Sequence, residues 1–490
     1  MGDGMRTALI ERGVPAVAAL LGSLVIGLWV RGWLSAPLLP ARPLGTEPPP
    51  RAAGKPPPAA PAGTTAVPPP PDAAPARAAA PASGPEPAAA ARVPLLPGLW
   101  PGFRGPARDN VARDAGSLSR DWSARPPRLL WSVSVGEGYA GPAVRAGRVY
   151  LLDYDQAGQA DTLRCFALSD GRELWRQAYH VVVKRSHGMS RTVPAVTEKW
   201  VVTLGPKCHV QCVDALTGQR RWLKDLVAEF GATVPEWYAG QCPLIDRDRA
   251  IIAPGGKALM IAVELATGRV LWQTPNPRGW TMTHSSILPV DYGGRRIYVY
   301  CASGGVVGVD SGTGRLLWEF PEWVINTATV PSPVHLGGGH LFLTGGYGAG
   351  SLVLQLREEG GRMAVTVAAR IDPAVFGSEQ HTPILHGGHL YGVASDGQMA
   401  CLDLSGRRIW SSGTQNRFGL GPYLLADGLL LILAENGSLV AAEASPAAFN
   451  PLGRHAILPE GEEAWAPLAL AGTRLLARDL TRLVCVDLGR

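Results

Sequence analysis

Few residues in this 490-residue chain have the type and spacing for chemistry. His284 with Glu379 could serve as acid and base if the fold brought them together, and His381 stands two positions after Glu379. Cys208 and Cys212 flank His209 like half of a zinc site, but no second half follows, and an alternating strand would put both thiols on one face anyway. There is no CxxCH haem attachment site and no Cys-Cys pair among the seven cysteines. The glycine-rich Thr344 to Ser351 lacks the Gly-Lys-Ser/Thr of a phosphate loop and reads as a turn.

The elements that would position these residues repeat. Val210 to Trp222, VQCVDALTGQRRW, is a strand, a turn in which Gly218 supplies a positive φ, and a second strand ending on tryptophan. Related segments close on Trp175, Trp272, Trp318 and Trp410, with a degenerate opening at Trp131. The tryptophan intervals are 44, 47, 50, 46 and 92 residues, so one copy between Trp318 and Trp410 has lost its tryptophan. A second signal runs in phase. Pro142, Pro194, Pro243, Pro333, Pro383, Pro422 and Pro467 each precede an apolar strand, and Ser286 is expected in the proline position of the remaining copy.

Short strands repeating every four dozen residues predict a β-propeller, in which no repeat can bury its faces alone. Eight copies predict an all-β, eight-bladed ring over residues 98–490. Leu483 to Arg490 supplies an aspartate-bearing strand without a tryptophan strand, and Arg128 to Val135 supplies the missing one. The ring is therefore expected to close by pairing those two segments, leaving no free sheet edge.

Cys165, Cys212, Cys401 and Cys485 occupy the slot two residues before the repeat's aspartate, where other copies carry Ala262 and Gly308. A recurring small residue is a packing requirement, so buried free thiols are expected. The odd, scattered set also argues against a disulfide scaffold.

The motif resembles the tryptophan-docking repeat of the quinoprotein (PQQ-like) propeller superfamily, and Leu99 to Ala112, LWPGFRGPARDNVA, resembles the opening of many bacterial PQQ-binding-like repeat proteins. That superfamily holds quinone-dependent alcohol dehydrogenases and noncatalytic lipoproteins of outer-membrane assembly, so the fold does not choose between them. The enzymes hold PQQ with two adjacent cysteines and calcium with carboxylate and amide oxygens. This chain lacks that cysteine pair and a haem outlet, so no cofactor is expected, PQQ with calcium being the alternative for a dehydrogenase acting on alcohols or sugars. The leading reading is a noncatalytic binding or assembly platform.

In a propeller the residues just before each innermost strand line the channel mouth. By phase these include Tyr139, Arg191, Trp237, Tyr238, Gln241, Thr283, His284, Ser285, Thr329, Glu379, Gln380, His381, Glu463 and Trp465. We take Arg191, Trp237, Tyr238, Gln241, His284, Ser285, Glu379, His381 and Trp465 as candidate ligand-binding residues, with none catalytic and none metal-binding. Satisfying strand-end backbone groups is the competing role for each. The insertion Leu223 to Cys242 adds aromatics to one connection, as a binding surface or as local core.

Val14 to Leu34 just suffices to cross a bilayer. Leu34-Ser35-Ala36 followed by Pro37 is a poor cleavage site, so residues 1–35 read as an uncleaved single-pass signal anchor rather than a cleaved leader. Residues 36–97 hold 20 of the 44 prolines, a composition that cannot bury a core and predicts an extended, disordered spacer. The net charge of +6 divides equally between residues 1–97 and the rest, too dilute on the propeller for nucleic acid. The expectation is a monomeric propeller on the extracytoplasmic side of a membrane, with a protein or peptide partner in the cell envelope.

Overall fold

The computed structural model describes Pro94 and residues 96–490. Among them no helix is long and apolar enough to cross a membrane. The anchor expected at Val14 to Leu34 and nearly all of the spacer lie outside the described residues.

Eight sheets follow one another along the chain, spanning residues 143–180, 195–225, 244–275, 288–320, 334–371, 384–411, 423–456 and 469–487; each has four antiparallel strands, and the seventh gains a fifth, parallel strand from Val111–Ala112. We number them blades 1 to 8. Blade 8 takes its outer strand from Arg128–Ser134, which pairs with Arg482–Asp487 so that Trp131 faces Cys485. This is the closure that the repeat phase predicts.

The hydrophobic core is a series of layers between blades rather than one centre. Val202, Val210 and Trp222 of blade 2 pack with Ile252, Ile261 and Val263 of blade 3, and similar layers join the following pairs. Each blade thus needs its neighbour to bury its face.

The repeated motif explains these joints. Asp214 accepts hydrogen bonds from the Leu216 and Thr217 N–H groups and the Thr217 hydroxyl, and Asp310 does the same for Gly312 and Thr313. The turn so fixed presents a glycine to the preceding blade's tryptophan. A Cβ on Gly268 would stand 2.7 Å from Trp222, which also donates its indole N–H to Leu265 O at 2.8 Å. Within a blade, Cys165, Cys212, Ala262, Gly308, Cys401 and Cys485 each lie directly across from the tryptophan. A Cβ on Gly308 would meet the Trp318 indole at 2.1 Å, which is why this slot stays small. All seven cysteines are buried free thiols.

Two blades dock differently. In blade 5, the copy without a tryptophan, Ile371 takes the place against Gly406 of blade 6. In blade 7 the outer strand carries Gly453, and Trp122, from outside the repeat, packs onto it.

An inner ladder ties blades 2 to 6. The N–H of Val193 donates to Cys242 Sγ at 3.2 Å, Cys242 N–H to Ser286 Oγ at 3.0 Å, Ser286 N–H to Ser332 Oγ at 2.9 Å, and Ser332 N–H to Thr382 Oγ1 at 2.8 Å. The ladder corrects one register. Ser286 is equivalent to Ser332, so Ile287, not Ser286, occupies the proline position of blade 4.

Residues 100–112 run across the inner strands and cork the ring. Trp100 bridges to Val144 of blade 1, and Pro101 O accepts from Val196 N–H of blade 2. Arg104 donates to Pro383 O of blade 6, Arg108 to Ile245 O of blade 3, and Val111–Ala112 pairs in parallel with the inner strand of blade 7.

Candidate ligand site at the closed channel

Because this segment crosses the ring, the channel mouth is a blind cavity of about 290 Å³ with Phe103 among its lining residues. Seven aromatic or imidazole side chains from the blade connections complete much of its wall: Tyr139, His187, Trp237, His284, Tyr347, His381 and Trp465. Arg191 and Gln380 add polar groups.

The aromatic wall is braced. Tyr139 and Trp465 lie with ring centroids 5.1 Å apart, and the Arg191 guanidinium sits 5.1 Å above the Tyr139 ring. The Tyr139 hydroxyl donates to Glu463, and its pKa is raised by burial and by that carboxylate. Trp465 donates its indole N–H to Glu435 at 3.3 Å, and Trp237 stands 6.4 Å from the His284 ring.

Arg191, His284 and His381 are each held in one state. Arg191 donates to the carbonyls of Trp237, Ser186 and His187. Burial lowers its pKa to about 10, still charged at neutral pH. Burial, reinforced by Arg191, lowers His284 to about 4. His381 is likewise lowered to about 4, chiefly by burial, and its Nε2 lies 3.0 Å from Leu420 O. Both imidazoles are therefore neutral hydrogen-bonding groups rather than poised bases.

The phase-derived set divides. Arg191, Trp237, His284, His381 and Trp465 meet in this cavity. Glu379 lines an adjacent cavity of about 430 Å³ between blades 6 and 7, which shares Gln380, His381 and Leu420 with it. Burial raises the Glu379 pKa. Three residues take backbone or core roles. Gln241 is buried and bonds both backbone groups of Ala253, Ser285 is buried, and Tyr238 donates to Lys184 O within a cluster containing Tyr154 and Tyr179. The insertion is thus half surface and half core. A short helix, Leu226–Phe230, capped by Asp225, folds its apolar face onto blades 2 and 3, leaving Trp237 at the cavity.

Phe103 and Tyr347 are lining residues that strand phase does not yield. Tyr347 sits at φ +56° on the turn between two strands of blade 5, where the glycine-rich stretch is indeed a turn.

A family model described as outer membrane protein assembly factor BamB matches residues 159–412, just over half of the chain. The chain belongs to this PQQ-like repeat family. Outer membrane protein assembly factor BamB of Moranella endobia (strain PCIT) is 23% identical over 255 residues, 48% of this chain. The matched part spans 60% of that relative's length. BamB from Moraxella catarrhalis superposes with a TM-score of 0.52 at 13% identity, covering 74% of this chain and 99% of that one, a likeness of fold. A quinohemoprotein alcohol dehydrogenase from Comamonas testosteroni gives 0.48 at 12% identity over 82% of each chain.

The PQQ-like repeat family raises the question of whether quinone and calcium fit here. PQQ is a flat quinone bearing three carboxylates, and calcium requires several oxygen ligands, carboxylates above all. No Asp or Glu lines the channel cavity, and its one arginine is already committed to carbonyls. Among the described residues no three His, Cys, Asp or Glu side chains are grouped to hold a metal ion. The residues present do not fit PQQ with calcium.

Proposed function

We propose that this chain is a noncatalytic propeller of the cell envelope that binds a protein or peptide partner at its closed channel mouth. In this reading Val14 to Leu34 anchors it in a membrane, residues 36–97 are the spacer, and residues 98–490 stand as a monomeric ring on the extracytoplasmic side. The observation that carries the proposal is the blind aromatic cavity over Phe103, whose His284 and His381 are kept neutral and whose arginine is tied to backbone. Such a wall offers stacking area and fixed hydrogen-bonding groups without an acid–base pair. Membership of the PQQ-like repeat family, with relatives named as assembly factors, supports a protein partner.

The test is crosslinking and pull-down of the full membrane-anchored chain beside a Trp237→Ala/Tyr347→Ala variant. Tyr347 is 51% exposed, so its truncation leaves the fold intact. Loss of the captured partner at an unchanged melting temperature is expected. Capture of the same partner in the same amount by the variant excludes this mouth as the binding site.

A further inference from the structure

Beside the mouth cavity, and sharing Phe103 and Cys242 with it, is a second chamber of about 10 Å³. Its polar wall consists of Arg104, Arg108, Cys242, Ser286 and Ser332. The remainder is aromatic, aliphatic or proline, with no carboxylate, amide or imidazole.

Hydrogen-bond accounting gives this wall one polarity. Arg104 is 5% exposed and donates from Nη2 to Pro383 O at 2.9 Å, while its Nε and Nη1 have no partner. Arg108 donates to Ile245 O at 3.1 Å. Ser332 already accepts from the Ser286 N–H and so has its own hydroxyl hydrogen to donate, whereas Ser286, which accepts from the Cys242 N–H, turns its hydroxyl on the Cys242 thiol. The nearest carboxylates, Asp109 for Arg104 and Asp246 for Arg108, make their direct ion pairs with Arg113 and Arg296, and unpartnered buried donors carry a cost of their own. Burial lowers both arginines only to about 10, so both remain cationic at neutral pH.

We propose that this chamber binds one small monovalent anion, chloride in ordinary buffers, held between Arg104, Arg108 and Ser332. The space suits a single water-sized occupant and excludes phosphate or a carboxylic acid. The arginines belong to the segment that corks the ring, whereas Ser332 belongs to the inner ladder at blade 5. The anion therefore fastens the cork to the ladder.

Two measurements on the full chain test this. Crystals soaked in bromide are expected to show an anomalous peak within hydrogen-bond reach of Arg104 and Ser332. Thermal unfolding is expected to rise saturably in chloride or bromide over gluconate at matched ionic strength, and Arg104→Met is expected to abolish the difference. If Arg104→Met does not fold, Ser332→Ala serves instead and should raise the half-saturating chloride concentration several-fold. Water without anomalous signal in the chamber, bromide only at exposed surfaces, or equal melting in all three salts overturns the proposal. So does a half-saturating concentration unchanged by Ser332→Ala.

Discussion

The guanidinium of Arg478 in blade 8 donates to Leu152 O of blade 1 at 3.2 Å. Arg478 is 0% exposed, and it also donates to the carbonyls of Gly136, Ala140, Asp479 and Leu480. The ring is thus sealed twice, by strand pairing at its rim and by a buried cation surrounded by carbonyls further in. Truncating that cation leaves carbonyls unsatisfied in a buried site.

Arg478→Met should destabilise the propeller by about 3 kcal/mol or more. Arg128→Ala, which removes an exposed ion pair with Asp487 at the same seam, should cost less than about 1 kcal/mol. Urea denaturation of both variants checks the contrast. Equal midpoints would mean that the inner seal carries no load.

Tryptophan docking predicts a second contrast. Gly268 has φ +77°, and a Cβ there would intrude on Trp222, whereas Gly279 has φ +64° and open space around it. Gly279→Ala should cost about 1 kcal/mol of backbone strain alone, and Gly268→Ala clearly more because the indole must move. Thermal melts of the two variants measure the docking contact by difference.

Acid should weaken the molecule through its mouth. Both His284 and His381 have folded pKa values of about 4 against an ordinary 6.5, so the unfolded chain binds protons first as pH falls. Their contribution is fully present above pH 6.5 and is lost between there and about pH 4. His381→Gln should flatten that limb of the stability profile while leaving its slope above pH 7 unchanged.

Asp161 acts with the opposite sign. Burial raises its carboxyl to about 7, despite hydrogen bonds from Ser190 at 2.8 Å and Tyr179 at 2.9 Å. The folded chain keeps this proton below pH 7 while the unfolded chain has released it above 3.8, so the associated stability is fully present below 3.8 and is lost as pH rises from there through 7. Asp161→Asn, which mimics the protonated form, should melt higher than the parent at pH 8, by a smaller margin at pH 5, and nearly the same only below the unfolded value of 3.8.

Added PQQ with calcium should change neither the absorption spectrum nor the melting temperature, and alcohols or sugars should give no dye reduction. Saturable quinone binding in a titration would show that the missing carboxylates are supplied in some other way.

The ring was legible because its joints are written in residues that only one geometry uses. A small residue must face the tryptophan, and an aspartate must fix the turn that carries the glycine, so their spacing survives where strands diverge. Blade 5 escaped that signal because Ile371 does the docking, and blade 7 because Trp122 comes from outside the repeat. The mouth was half legible. Phase identifies which connections reach it, but not which way each side chain turns, and hydrogen bonding to Ala253 and Lys184 turns Gln241 and Tyr238 inward. Phe103 was hidden altogether, since its place depends on a segment crossing to distant partners, among them the Tyr423 carbonyl, 313 residues from Asn110.

The seam between Arg128–Ser134 and Arg482–Asp487 also governs how the molecule can be assembled. Arg128 and Asp487 are separated by 359 residues, and at about 5–20 residues per second a ribosome needs tens of seconds to make that length. Throughout that interval the early strand has no partner, and its row of open N–H and C=O groups invites pairing with a stranger. The early edge is therefore the part of this architecture most open to mispairing until the last strand has been made.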